Sequence, residues 1–127
     1  SVSGYYYSFI FHNFNLSKPL NLIIMSDFVL SGLGHQSAKA QRLANRLRKG
    51  NTVELIPDPD NEYDSTAVKV LVKGHQIGWV NKNSDRKDLI FKRIMKKGGG
   101  TGTVVWNEME KGESGYLFRS IGIDANV

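Results

Sequence analysis

A short acidic segment in the middle of the chain carries the residues best suited to chemistry. Its carboxylates alternate along the backbone, at Asp58, Asp60, Glu62 and Asp64. This spacing is typical of a calcium-binding loop, which also needs a glycine at its sixth position and a bidentate glutamate at its twelfth. Tyr63 and Lys69 occupy those two positions. The segment is therefore not expected to bind calcium in that way.

Two other interpretations of the acidic segment remain open. A magnesium-dependent nuclease needs carboxylates that converge from separate elements, and the sequence shows no second acidic cluster. Alternatively, Asp and Asn side chains cap turns through hydrogen bonds to the nearby backbone, while Pro57 and Pro59 stiffen the loop. This second interpretation leaves Tyr63 unexplained, because an aromatic ring between two acids in a polar loop has little to pack on.

The elements around this segment are predicted from hydrophobic periodicity and turn residues. Strands are predicted over 28–30, 51–56, 67–72, 76–80, 103–106 and 116–123, the last two forming a hairpin around a polar loop. One helix is predicted from a Ser37 cap to about Lys49, and another from an Asn83 or Ser84 cap to about Lys97. This order predicts a mainly β fold with two helices (α+β), arranged as a small β-barrel or a curled sheet.

Composition limits the class of protein further. The chain has 127 residues, 40% hydrophobic and 23% charged, which is typical of one globular domain. It contains no cysteine, so it has no disulfide and no thiolate ligand or nucleophile. The net charge is +5, and the first predicted helix has several cations and no acid, namely Lys39, Arg42, Arg46, Arg48 and Lys49. Such a helix either attracts a polyanion or is a solvated face.

Residues 1–24 differ from the rest of the chain. They carry a dense aromatic run between Tyr5 and Phe14 and a single charged residue, Lys18. They match neither a secretory signal nor a membrane-spanning helix, which needs about 20 apolar residues. In one interpretation Met25 is the natural start and the arm is non-native or weakly ordered. In the other, the arm is an extra strand or docks a partner. We divide the chain into an arm, 1–24, and a domain, 25–127.

The central part of the domain resembles the HIRAN family. The family signature combines a D/E-P-x-N-x-Y/H-D loop, an A-V/I-x-V strand and a hairpin that ends in I/V-G-aromatic-hydrophobic before a basic residue. It is similar to the run LIPDPDNEYDSTAVKVLVKGHQIGWVNK. Upstream, FVLSGLGH is similar to the family's opening strand and glycine turn, so the resemblance covers about Phe28 to Ile123. It implies an OB-like barrel that binds single-stranded DNA and captures free 3′ ends.

The resemblance also implies roles for single residues. Tyr63 matches the aromatic residue that stacks on a terminal base, Asp64 matches the carboxylate that accepts from the 3′-hydroxyl, and Asn61 matches the loop amide beside them. Trp79 matches the ring that closes the hairpin, and Lys82 matches the basic residue after it. Two departures stand out: Gly34–His35 replaces an Arg-Tyr pair of end-binding members, and Glu62 and Asp60 add negative charge. Among the predicted DNA-binding residues are also His35 and Lys69.

We therefore predict a non-enzymatic single-stranded DNA-binding module with a preference for 3′-hydroxyl ends and no cofactor. The expected partners are single-stranded DNA or DNA ends, and a helicase or nuclease of the same pathway, with no membrane partner. Two alternatives are a protein-interaction barrel, in which the basic helix docks an acidic partner, and the metal-dependent nuclease. The expected location is the cytoplasm, with the nucleoid, for a bacterial or phage protein, and the nucleus for a eukaryotic one.

Overall fold

The computed structural model describes residues 5–6 and 25–127. Two α-helices, α1 (Ala38–Asn45) and α2 (Lys87–Lys97), and a short 3₁₀ helix, Leu33–His35, accompany the strands. The strands are β1 (Tyr5–Tyr6), β2 (Met25–Ser26), β3 (Phe28–Ser31), β4 (Thr52–Asp58), β5 (Ala67–Val72), β6 (His75–Val80), β7 (Gly100–Lys111) and β8 (Leu117–Ala125). The mainly β fold with two helices is confirmed. Most of the predicted arm, 1–24, lies outside the described residues; only β1 is described, and it pairs antiparallel with β2.

Six antiparallel strands form a closed barrel in the order β3-β6-β5-β4-β7-β8. The ring closes through β3, which pairs with β6 at Leu30 and Ser31 and with β8 at Phe28 and Val29. Alternate residues of the strands point inward and form the core, in which Phe28, Leu55 and Ile77 are fully buried. The fold is therefore a small barrel of the predicted OB-like kind.

Helix α1 is shorter than predicted. Ser37 caps it as expected, accepting a hydrogen bond from the Ala40 amide at 3.1 Å. The helix ends at Asn45 and not near Lys49, because its last turn tightens: the Leu47 amide bonds to the Ala44 carbonyl, three residues back. The Asn107 amide then donates to the Ala44 and Leu47 carbonyls, at 3.0 and 2.8 Å. A side chain from β7 thus adds hydrogen bonds to carbonyl groups at the end of the helix.

Helix α2 begins at Lys87, two residues later than the predicted Ser84 cap would place its first residue. The Ser84 hydroxyl instead donates to the Asp27 carbonyl at 2.9 Å, and the Arg86 guanidinium forms an ion pair with the Asp27 carboxylate at 3.3 Å. The same carboxylate accepts from the Ala125 amide at 2.9 Å. Asp27, next to the closing strand β3, therefore fixes the segment that leads into α2.

The closing hairpin is confirmed, but its strands are longer than predicted. The sequence predicts a polar loop after Trp106, whereas β7 continues to Lys111 and pairs with β8 as far as Leu117. β7 pairs with β4 over Gly100–Thr103. Among the described residues, β7 and β8 pair only with each other beyond the barrel. From Met109 to Phe118 no residue of this ribbon is buried, so this part needs no apolar alternation. Polar composition alone therefore predicted the loop wrongly.

A tight contact inside this hairpin gives a test of the fold. A Cβ added to Gly122 would lie 2.5 Å from two ring atoms of Trp106, a ring that is only 4% exposed. We expect Gly122→Ala to lower the free energy of unfolding by about 1–3 kcal/mol, because overpacking displaces the ring or the strand. Urea denaturation followed by circular dichroism measures the change.

Gly34→Ala is the matched control. No atom lies within 4 Å of a Cβ built on Gly34, whose φ is not positive. We expect this substitution to leave stability unchanged or to raise it by up to about 1 kcal/mol, because alanine restricts the unfolded chain. Equal stability of the two variants would contradict the packing of Trp106 on Gly122.

Candidate functional site

The loop between β4 and β5 is shaped by the side chain of Asn61. Its Oδ1 accepts hydrogen bonds from the backbone amides of Tyr63 and Asp64, at 2.9 and 3.0 Å. Its Nδ2 donates to the Asp58 carboxylate at 3.2 Å. An Asn that bonds to amides two and three residues onward folds the backbone into a tight turn. The turn leaves the Tyr63 side chain 93% exposed, so this ring has almost no packing role within the described residues.

Trp79 forms the wall opposite this loop. In the barrel it lies between Ser31 of β3 and Lys69 of β5. The Lys69 ammonium is 6.0 Å from the centre of the indole ring, and a Cβ on Gly32 would come within 3.2 Å of the ring edge. The indole is half-buried. It therefore packs against the glycine turn and still presents part of its surface to the cleft.

Asp64 is held by contacts from its own loop and from α2. Its Oδ2 accepts from the Lys87 ammonium at 2.7 Å, and its Oδ1 accepts from the Thr66 amide at 3.0 Å. The Thr66 hydroxyl lies 2.9 Å from Asp64 Oδ1 and 3.0 Å from the Asp88 carboxylate, and it can give its proton to one of them. The acidic loop is thus connected to the first turn of α2.

These contacts fix the charge of Asp64. The hydrogen bond from Lys87 lowers the pKa of the Asp64 carboxyl below its usual value; Thr66 acts in the same direction, and burial opposes them. Because the pKa is lower in the folded chain than in the unfolded chain, the interaction stabilises the fold above the unfolded value, about 3.9. This stabilisation is lost as the pH falls through the folded value. At neutral pH Asp64 is a carboxylate, which accepts hydrogen bonds but cannot donate them.

The loop, the β3–β6 edge and the segment after β6 enclose a cleft of about 590 Å³. Five of the predicted residues are among those that line it. The lining residues are Ser31, Asn61, Tyr63, Asp64, Ala67, Trp79, Val80, Asn81, Lys82 and Asn83. Lys69 is outside the lining and contacts the cleft indirectly, through Trp79. His35 is exposed on the 3₁₀ helix and does not line the cleft.

The sequence interpretation missed Lys87 and Thr66, whose side chains contact the Asp64 carboxylate. One signal in the sequence could have indicated Lys87. A cation in the first turn of a helix lies at the positive end of the helix dipole, where it is unfavourable unless an anion is close. A lysine at the start of α2 therefore calls for a partner carboxylate, and Asp64 provides one.

Two properties of the described residues, 5–6 and 25–127, bear on other classes of site. Within these ranges no group of three or more His, Asp or Glu side chains is placed to hold a metal ion. No helix in the same ranges is long and apolar enough to span a membrane.

Comparisons with known proteins identify the family. The family model of the HIRAN domain matches residues 25–117, well over half of the chain. Among solved structures, the chain is similar to the crystal structure of the HIRAN domain of human HLTF, with 22% sequence identity and a TM-score of 0.46. That similarity covers 76% of this chain and 70% of the other. A search of curated proteins finds no significant match. On the strength of the family match, this chain belongs to the HIRAN domain family, a family of DNA-binding modules.

Proposed function

We propose that this domain binds single-stranded DNA and selects free 3′-hydroxyl ends in the cleft between the acidic loop and Trp79. One observation carries the proposal: an almost fully exposed tyrosine ring stands beside an ionised, firmly held carboxylate in the same cleft. A helicase or nuclease that acts on such ends is the partner we propose, in the nucleoid or the nucleus.

Tyr63 supplies the binding energy that does not depend on sequence. Stacking of a base on an aromatic side chain is worth about 1–3 kcal/mol, and every base has a face that can stack. The Asn61 bonds hold the backbone of Tyr63 in a tight turn before any ligand binds. Less backbone entropy is then lost on binding than in a mobile loop.

Asp64 supplies the selection of the end. A carboxylate has about four lone-pair sites, and the described contacts of Asp64 use at most three: Lys87 at Oδ2, and the Thr66 amide and hydroxyl at Oδ1. One site on Oδ2 is left for a donor in the cleft. A free 3′-hydroxyl is such a donor, whereas the esterified 3′ oxygen of an internal nucleotide has no proton to give.

Lysines near the cleft supply attraction to phosphates. Lys82 is exposed in the lining, and Lys69 is half-buried against Trp79. On the loop itself, Asp60 and Glu62 are exposed and carry the opposite charge. These opposing charges keep the attraction to the backbone modest. This attraction is common to ligands of the same length, so the difference between them rests on the end contact.

A second candidate function, contact with another protein, rests on a surface other than the basic helix. Near the tip of the β7–β8 ribbon, several large apolar side chains are exposed, namely Met109, Tyr116, Leu117 and Phe118. Exposed apolar patches of this kind often mark contacts with other proteins. This surface is formed by other residues than those that line the cleft, so a protein contact there is compatible with DNA binding at the cleft.

Tyr63→Ala tests the stacking. We expect the affinity for any single-stranded oligonucleotide to fall by about 1–3 kcal/mol, measured by fluorescence anisotropy. Tyr63→Phe keeps the ring and should bind like the unmodified protein. Tyr116→Ala removes another exposed tyrosine, at the ribbon, and serves as the matched control. Equal losses in Tyr63→Ala and Tyr116→Ala would contradict stacking in the cleft.

The end selection is tested by changing the DNA and not the protein, because loss of Asp64 would take from the buried Lys87 its closest carboxylate and so destabilise the fold. Oligonucleotides of one sequence end in a 3′-hydroxyl, a 3′-hydrogen or a 3′-phosphate. We expect the hydroxyl end to bind roughly 10- to 100-fold more tightly than the hydrogen end, as for a hydrogen bond to a charged group. The oligonucleotide with the 3′-phosphate should bind most weakly, because its negative phosphate would lie beside the negative Asp64 carboxylate.

Equal affinities for the three ends would overturn the end selection. The same titrations with and without magnesium, followed by sizing of the oligonucleotide, test the nuclease alternative. Cleavage that requires magnesium would favour that alternative.

The salt dependence of binding tests the phosphate contacts. If three or four phosphates are neutralised, the logarithm of the affinity should fall against the logarithm of the salt concentration with a slope of about −2 to −3. Anisotropy titrations at several salt concentrations give the slope. Binding that does not respond to salt would contradict contacts between the lysines and the DNA backbone.

A further inference from the structure

Lys87 is an unusual residue for the surface of a helix. It is 7% exposed, although lysine is rarely buried unless it is paired. It lies in the first turn of α2, at the positive end of the helix dipole. Burial and the dipole both oppose a cation here, so its contacts must compensate for both.

The contacts of Lys87 use all of its donors. An ammonium group has three N–H donors. Those of Lys87 reach Asp64 Oδ2 at 2.7 Å, the Thr66 hydroxyl, and the Thr66 carbonyl at 3.5 Å. No donor is left for a DNA phosphate, and the side chain is covered by protein. Lys87 is therefore not a phosphate ligand, and its effect on DNA must pass through Asp64.

We infer that Lys87 is a positioning residue that sets the end specificity of the cleft, by fixing the Asp64 carboxylate with one Oδ2 lone pair directed to the DNA. The inference rests on the proposed function and deepens it. A carboxylate held at one oxygen by Lys87 and at the other by the Thr66 amide has little freedom to rotate. Without Lys87, Oδ2 has no partner among the described residues and the carboxylate can turn about its Cβ–Cγ bond.

The charged groups around Asp64 come from three elements. α2 contributes Lys87 and Asp88, whose carboxylate lies 3.6 Å from the Lys87 ammonium. The segment after β6 contributes Lys82 to the same cleft. The loop contributes the acids at 58, 60 and 62, and Asp58 is bonded to Asn61. The hydrogen bond from Lys87 is the largest influence on the Asp64 carboxyl and keeps its pKa low.

Lys87→Met removes the charge and keeps most of the side-chain volume. The readout is the ratio of affinities of the full chain for a 5′-labelled oligothymidylate with a 3′-hydroxyl and for the same oligonucleotide with a 3′-hydrogen, measured by fluorescence anisotropy. We expect this ratio to fall about tenfold, since a small displacement of a positioning group costs up to about a hundredfold. Lys87→Arg keeps the cation and should retain more of the ratio than Lys87→Met.

Lys92→Met is the matched control, because Lys92 is an exposed lysine on the same helix. It should leave the ratio unchanged. A purely structural role for Lys87 would lower the melting temperature of Lys87→Met and leave the ratio as it is, and this result would overturn the inference. A wild-type protein with no preference for the hydroxyl end would instead overturn the proposed end selection itself.

If the Lys87 variants do not fold, the inference is tested on the wild-type chain by the pH dependence of the hydroxyl-to-hydrogen ratio. Asp64 accepts most strongly when it is ionised, and the hydrogen bond from Lys87 lowers its pKa. The hydroxyl-to-hydrogen ratio should therefore persist as the pH falls and be lost only with a midpoint below the usual aspartate value of about 3.9. Loss of the ratio with a midpoint at or above about 3.9 would overturn the inference, because Lys87 would then not hold Asp64 in its ionised form.

Discussion

Closure of the barrel through β3 is the constraint on which the fold and the cleft both depend. This strand has only four residues, yet it pairs with β6 on one side and β8 on the other. Its first residue, Phe28, is fully buried and keeps the strand in the core. Its last residue, Ser31, lines the cleft beside Trp79. Asp27, just before the strand, binds the segment that leads to α2. The short strand therefore places one wall of the cleft and the helix that supports Asp64.

Local sequence patterns predicted the parts of the fold in which local and tertiary preferences agree. β5 was predicted at its observed bounds, because a run of β-branched and apolar residues inside a barrel has one stable conformation. The Ser37 cap and the buried face of α1 followed from helical spacing in the same way. The cleft residues Asn61, Tyr63 and Asp64 were found because seven consecutive residues carry the family's loop signature. A site formed by one continuous loop can be read from sequence, although the role of each residue remains a prediction.

The parts that could not be predicted depend on contacts between residues far apart in the chain. Lys87 supports Asp64 from a position 23 residues later, and no local pattern joins the two. Ser84 has the residue type of a helix cap, but its hydroxyl serves Asp27 instead, 57 residues earlier. Residues 107–115 are mostly polar and none of them is buried, yet the β7 backbone is paired with β8 as far as Lys111. In each case a tertiary contact decided between conformations that the local sequence allows.

The negative charge of the loop has a physical explanation in this arrangement. An acidic loop repels a polyanion, so a DNA site built on it must neutralise its acids or gain from them. Lys87 neutralises Asp64 at contact distance, and Asn61 bonds to Asp58, while Asp60 and Glu62 remain exposed to screening by salt. In the function that we propose, the Asp64 carboxylate repels DNA phosphates only weakly, because it is paired with Lys87, and it still accepts a hydrogen bond from a hydroxyl. The remaining acids weaken attraction along the strand for end and internal sites alike, so in this proposal the preference for an end rests on the Asp64 contact, because specificity is a difference between two affinities.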